Sequence, residues 1–325
     1  MRHSVLIFFI LFFLLISFVG GSVFTTYTQF ISEGPLEKRT EIIIPAGTTL
    51  RQVADQLQQA GIITSPSIFI LGVRASGNGV SVKAGEYSIP ERASNKMVMD
   101  IITGGQTYIR RLSVPEGLTS AQVVALIEKA EGLTGLISQT PKNGTLLPET
   151  YYYSYGDTKE SLLERMQNAM NRAKEELWEK RQDNLPFQTI DEAIVLASIV
   201  EKETGIGSER AQVASVFVNR LRKHMKLQSD PTVIYAVTDG TMDLKRKLTL
   251  KDLRKYHPFN TYVIDGLPPA AIVNPGYYSL RAVLNPNHTN YLYFVADGTG
   301  GHTFSQTYND HVKNVENWRS INKQK

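Results

Sequence analysis

The chain contains no cysteine, which excludes disulfides, thiolate metal sites and cysteine nucleophiles. That absence is compatible with an oxidising compartment but does not require one. Dense charge of one sign is also missing: 35 Lys and Arg stand against 31 Asp and Glu, giving +4 overall and a pI near 9.0. So mild an excess suits an acidic polymer or anionic lipid, and no basic run is concentrated enough to point to nucleic acid. The six histidines show no H-E-x-x-H or similar ligand spacing, so no metal is expected. There is no G-x-S-x-G elbow for a serine hydrolase. Gly298-Thr299-Gly300-Gly301 invites a phosphate-loop reading, but the third glycine of that pattern falls on Thr303 and no G-K-[ST] follows. It reads instead as a tight turn lining a cleft, and no cofactor is expected.

What is present is an ordinary globular composition. Apolar residues make up 42% and charged residues 20% of the 325, enough for about two domains plus a short anchor. The anchor is Ser4 to Phe24, a run without a charge; about 20 helical residues rising ~1.5 Å each cross the ~30 Å hydrocarbon layer of a bilayer. Arg2 and His3 precede it, and the nearest cations after it, Lys38 and Arg39, lie beyond Glu33. The positive-inside rule then puts the N-terminus in the cytoplasm and everything after Phe24 across the inner membrane, on the periplasmic side. The alternative is a cleaved signal peptide, for which the run is long and Val19-Gly20-Gly21 is a poor small-x-small site. Residues 1–24 are thus read as a cytoplasmic tip and transmembrane helix. Residues 25–40, mostly polar and containing Gly34-Pro35, are read as a linker.

A repeat follows. Ile44-Pro45-Ala46-Gly47-Thr48-Thr49, with Gln52-Val53, Leu57 and Ala60 behind it, recurs as Val114-Pro115-Glu116-Gly117-Leu118-Thr119, with Gln122-Val123, Ile127 and Ala130. In each copy a β-rich stretch runs into Pro and Gly, which stop the strand and turn the chain. A hydroxyl residue then caps a helix whose apolar residues recur at helical spacing, and Gly61 and Gly132 end the helices. Two more short helices (65–75 and 95–103) and a strand at Gly85-Glu86-Tyr87-Ser88 lie between the copies. Residues 41–140 therefore read as small α+β modules. Spacing alone leaves open a duplicated strand-turn-helix without a ligand; the layout resembles the LysM-like module, a glycan-binding fold.

The remaining residues, 141–325, read as a mixed α/β domain. Residues 160–180 form a charged helix covering something else, and a further helix spans 209–223. Tyr291 to Ala296 is a strand, and an amphipathic helix closes the chain. Thr189 to Gly205 (TIDEAIVLASIVEKETG) stands apart. Thr189 and Glu192 form a capping box, and Ala193 to Val200 is apolar nearly all round, so the helix passes through a core. A carboxylate at its C-terminus meets both desolvation and the negative end of the dipole, which favours the neutral form a general acid needs. At about 100° per residue Glu201 shares the face of Ile194, Ala197 and Ser198, and Glu203 points away. Glu201 is the better acid candidate, although a Glu-Lys-Glu cluster can equally be a solvated helix end.

Val200-Glu201-Lys202-Glu203-Thr204, Ser208-Glu209-Arg210, Val213 to Phe217, Asn219-Arg220-Leu221, Leu227 to Thr232, Asn260-Thr261-Tyr262, Gly266 to Pro269, Asn274-Pro275-Gly276 and Gly298 to Phe304 occur in this order. Together they resemble the YceG-like family of endolytic murein transglycosylases. The resemblance implies cleavage of the MurNAc–GlcNAc bond in nascent peptidoglycan without water, leaving 1,6-anhydro ends and terminating glycan elongation. It makes Glu201 the catalytic residue and implies association with peptidoglycan synthases. Asn219, Gln228, Ser229, Asp230, Asn260 and Tyr262 are candidate sugar-binding groups, with loop fixing as the alternative for each; residues 228–230 precede Pro231 and are expected to be extended. One departure stands out: Asn143-Gly144 precedes Leu146-Leu147-Pro148-Glu149 where many members have Glu-Gly. A hydrolytic muramidase and a non-catalytic glycan-binding scaffold are the competing functions.

Overall fold

The computed structural model describes residues 2–77 and 82–323; Met1 and Lys325, the outer bounds of the expected anchor and catalytic region, lie outside them. The fold is mixed α and β, and the chain divides into two compact units, Met1–Arg110 with Tyr152–Gly156, and Arg111–Tyr151 with Asp157–Lys325.

The first unit begins with α1 (Arg2–Ile31), of which Leu6–Ile31 is long and apolar enough to cross a bilayer. β1 (Thr40–Ile44), α2 (Leu50–Gln59), α3 (Pro66–Ala75), β2 (Gly85–Ile89) and α4 (Asn95–Gly104) follow. β1 and β2 pair antiparallel with Ile42 opposite Tyr87, and strand alternation sends Ile42, Ile44, Tyr87 and Ile89 into one core. Thr49 and Gln52 close a capping box on α2, whose buried Val53, Ala54 and Leu57 keep the expected spacing.

Residues 25–40 are not a free linker. α1 continues through them to Ile31, and Phe30 and Leu36 are buried in the core of this unit. Gly34 donates to the Arg92 carbonyl, and Arg92 N–H donates to that of Leu36. A Cβ on Gly34 would overlap the Ala93 carbonyl, so this glycine marks close backbone approach, not flexibility.

β3 (Ile109–Ser113) pairs with β4 (Thr150–Ser154), and the chain enters the second unit within β3. The second unit then carries α5 (Ser120–Glu128), α6 (Lys159–Glu179), α7 (Ile190–Glu203), α8 (Arg210–Arg222), α9 (Asp230–Val237), α10 (Leu250–Arg254), α11 (Tyr277–Leu284), the hairpin β5 (Tyr293–Ala296) and β6 (His302–Ser305), and α12 (Tyr308–Lys323). Ala193 to Val200 are all buried, so α7 is the central element, packed by α8, α9 and α11.

The second repeat copy belongs here. Val114, Val123 and Ile127 share a core with Leu146, Ile194 and Leu196, so the observed division falls at residues 110 and 111, not near 140. The copies match in detail: Gly47 and Gly117 both take positive φ (80° and 75°), and Thr119 and Gln122 repeat the capping box on α5.

Candidate active site

The site is built on the C-terminal turn of α7. Ser198, the single polar residue in its apolar stretch, donates to the Val195 carbonyl (2.7 Å) and accepts the Ile272 N–H (3.1 Å). That bond lays the chain of 272–276 along the helix. Two residues on, Asn274 is wholly buried and fully used: its Oδ1 accepts from Gly144 and Leu146, and its amide donates to the Leu118 carbonyl. Its backbone carbonyl accepts the Gly117 N–H. Asn274 therefore clamps the turn at Glu116–Leu118, and Gly276 is delivered to Glu201.

The Glu201 carboxyl is 5% exposed; its Oε2 accepts the Gly276 N–H at 2.8 Å. The Glu116 carboxyl lies close enough to feel its charge. Arg210 reaches both, at 3.1 Å from Glu116 and 3.8 Å from Glu201. Burial, then the Glu201 charge, raise Glu116 above the usual carboxylate range against the lowering pull of Arg210. The two carboxyls thus flank one guanidinium. A Cβ on Gly276 would overlap the Glu116 carboxyl, so the close pairing requires glycine there.

Glu203 occupies a different environment, as the 200° turn between the residues demands. Burial pushes its carboxyl up to about 7, opposed by the Ser229 hydroxyl donating to it at 2.5 Å. It lines a cavity of about 360 Å³ with Gln228, Asp230, Tyr262, Arg220 and Tyr293. Tyr262 donates to Asp230 at 2.6 Å, and the Arg220 guanidinium lies 5.2 Å over the Tyr293 ring.

The other expected site residues separate into two sets. Gln228, Asp230 and Tyr262 meet at this cavity, with Ser229 buried behind Glu203. Asn219 instead donates to the carbonyls of Thr289 and Tyr291, and buried Asn260 to those of Asp252, Leu253 and Lys255, so both amides hold loops. Asp230 is not extended before Pro231: it begins α9, with the proline in the first turn, where its missing N–H costs nothing. Gln228 takes φ 50°. Asn143 accepts from Ser120 N–H (2.8 Å) and donates to the Ile272 carbonyl (3.1 Å), a pairing that needs an amide. Glu149 is exposed.

Sequence reasoning missed Glu116. The signal was in the repeat, where the first copy has Ala46 at the equivalent position and only the second carries a carboxyl. Among the described residues no group of three or more His, Asp or Glu side chains could hold a metal ion.

The YceG-like family matches residues 42–317. A Bacillus subtilis protein named endolytic murein transglycosylase is 30% identical over 90% of this chain and 89% of its own length. A Streptococcus pneumoniae protein of the same name is 25% identical over 86% of this chain, which spans 58% of that longer protein. The crystal structure of a yceG-like protein from Listeria monocytogenes, 30% identical, superposes with a TM-score of 0.53 over 85% of this chain and 98% of the other. The chain belongs to the YceG-like family.

Proposed function

We propose that this protein is an endolytic murein transglycosylase in which Glu201 is the acid and then the base. Protonated Glu201 gives its proton to the glycosidic oxygen as the C1–O bond breaks. The sugar's own C6 hydroxyl then attacks C1, and its proton returns to the carboxylate. One bond breaks, one forms, and no water is consumed.

The observation that carries this reading is the Glu201–Glu116 contact. An inverting hydrolase keeps its two carboxyls ~6.5–9.5 Å apart to seat the attacking water. Here the two flank one guanidinium, Arg210 lying 3.1 Å from Glu116 and 3.8 Å from Glu201, and such close neighbours favour an internal nucleophile over a seated water. The relatives' names agree. Glu116 acts as a positioning residue beside Glu201.

Gln228, Asp230 and Tyr262 serve as glycan subsite groups, with Tyr293 as a stacking face. The first unit, with its strand-turn-helix, is the LysM-like glycan-binding module. α1 is a retained anchor with a cytoplasmic N-terminus, supported by its unbroken run from Arg2 into the buried Phe30. Peptidoglycan synthases are the partners that this placement suits.

One observation favours a second reading, with Glu203 as the acid: its carboxyl titrates near 7 at a cavity. Glu201→Gln and Glu203→Gln, assayed on murein strands, separate the two. Loss of cleavage in Glu201→Gln with activity kept in Glu203→Gln supports the first; the reverse pattern transfers the role to Glu203.

A further inference from the structure

The groove on the other side of Arg210 is unassigned. It measures about 570 Å³ and is lined by Arg210 and Ala211 of α8, Tyr278 and Arg281 of α11, and Asn285 and Asn287 just after it. That volume falls in the range that encloses a drug-sized ligand. Its lining has two guanidiniums, two amides and a phenol, and no carboxyl group.

The two cations differ. Arg210 is largely buried and already faces Glu116 and Glu201, yet its enclosed Nε has no acceptor among the described residues. Arg281 is exposed, stands 5.6 Å over the Tyr278 ring, and forms no ion pair among the described residues. An exposed guanidinium near an aromatic face has donors available for an oxygen pair.

We propose that this groove binds the stem peptide of the murein strand, with Arg281 receiving one of its carboxylates. This inference rests on the transglycosylase reading. A MurNAc residue positioned with C1 at Glu201 carries its peptide on the lactyl group of the same ring. Arg210 is common to the reaction centre and the groove, so a substituent leaving that ring has a direct path along it. Planar, two-point recognition of carboxylate is what a guanidinium supplies. The lactyl carboxylate of a peptide-free strand offers the same chemistry closer to the ring, but it would fill little of the groove.

The test uses the full-length protein in detergent on two substrates: murein strands with intact stems, and the same strands after an amidase has removed the stems. Arg281→Ala should raise KM on the intact strands about tenfold with kcat nearly unchanged, and leave KM on stripped strands as in the wild type. Arg281→Lys should fall between, because it keeps the charge without the fork. A rise on the stripped strands alone would assign the contact to the lactyl carboxylate, which is an amide when the stem is present, and overturn the proposal, as would an equal rise on both substrates or no change on either. Binding of the two strand types to Glu201→Gln, with and without Arg281→Ala, separates the same outcomes without turnover. Wild-type protein that cuts neither strand type would instead reject the transglycosylase reading.

Discussion

Glu116 and Glu201 come from turns 85 residues apart, and they meet because Asn274 and Ser198 fix the segment between them. Burial and the Glu201 charge raise the Glu116 carboxyl, and Glu116→Gln removes that raised group from the site. The alkaline limb of kcat/KM should therefore move toward acid, and activity near neutral pH should fall by about tenfold or more. Arg210, which reaches Glu116 and Glu201, remains in the variant. A purely structural Glu116 would lower the rate equally at every pH. Glu203 makes a prediction of stability. Its native carboxyl holds its proton up to about 7, against 4.5 in the unfolded chain. The native state thus binds more protons between those values, and wild-type stability falls as pH rises through that window. Glu203→Gln has no such slope. Its melting temperature relative to wild type should rise between about pH 5 and pH 8, by the equivalent of a few kcal/mol. Equal shifts at both pH values would contradict the assignment.

At the scale of elements, the features governed by local chemistry were legible. Thr189/Glu192 closes the capping box that its spacing announces, and Thr49 and Thr119 cap their helices as the repeat predicts, each with a Gln that completes a box in the fold. The apolar run of α7 is buried throughout. What failed depended on packing partners distant in sequence. Gly34-Pro35 looks like a hinge until Ala93 is placed against it. The second repeat copy looks like part of the first module until Ile194 and Leu146 are seen to share its core. Glu116 had a local signal, its contrast with Ala46, but its role required knowing that Gly276 and α7 lie beside it. Asn143 reads as a missing acid in the sequence and is a loop fastener in the fold. The junction of α1 with α3 is open to test. Gly72 lies against the Phe30 ring with no space for a Cβ. Gly72→Leu should destabilise the first unit by about 1–3 kcal/mol through overpacking, read as a lowered melting temperature. An unchanged value would mean that Phe30 does not seat there.

Over the whole molecule, each unit has its own hydrophobic core, and the chain begins with a helix long enough to cross a bilayer. The proposed reaction centre, the cavity beside Glu203 and the groove beside Arg210 all belong to the second unit, grouped around α7, α8 and α11. The chemistry is decided by what attacks C1: the sugar's own hydroxyl or water. The most direct measurement is mass spectrometry of new strand ends after digestion of murein by the full-length protein in water enriched in heavy oxygen. Internal attack predicts 1,6-anhydro ends one water lighter than reducing ends, free of the heavy isotope and absent with Glu201→Gln. Reducing ends that carry heavy oxygen would contradict it and make the enzyme a hydrolase; uncut strands would leave only a glycan-binding scaffold.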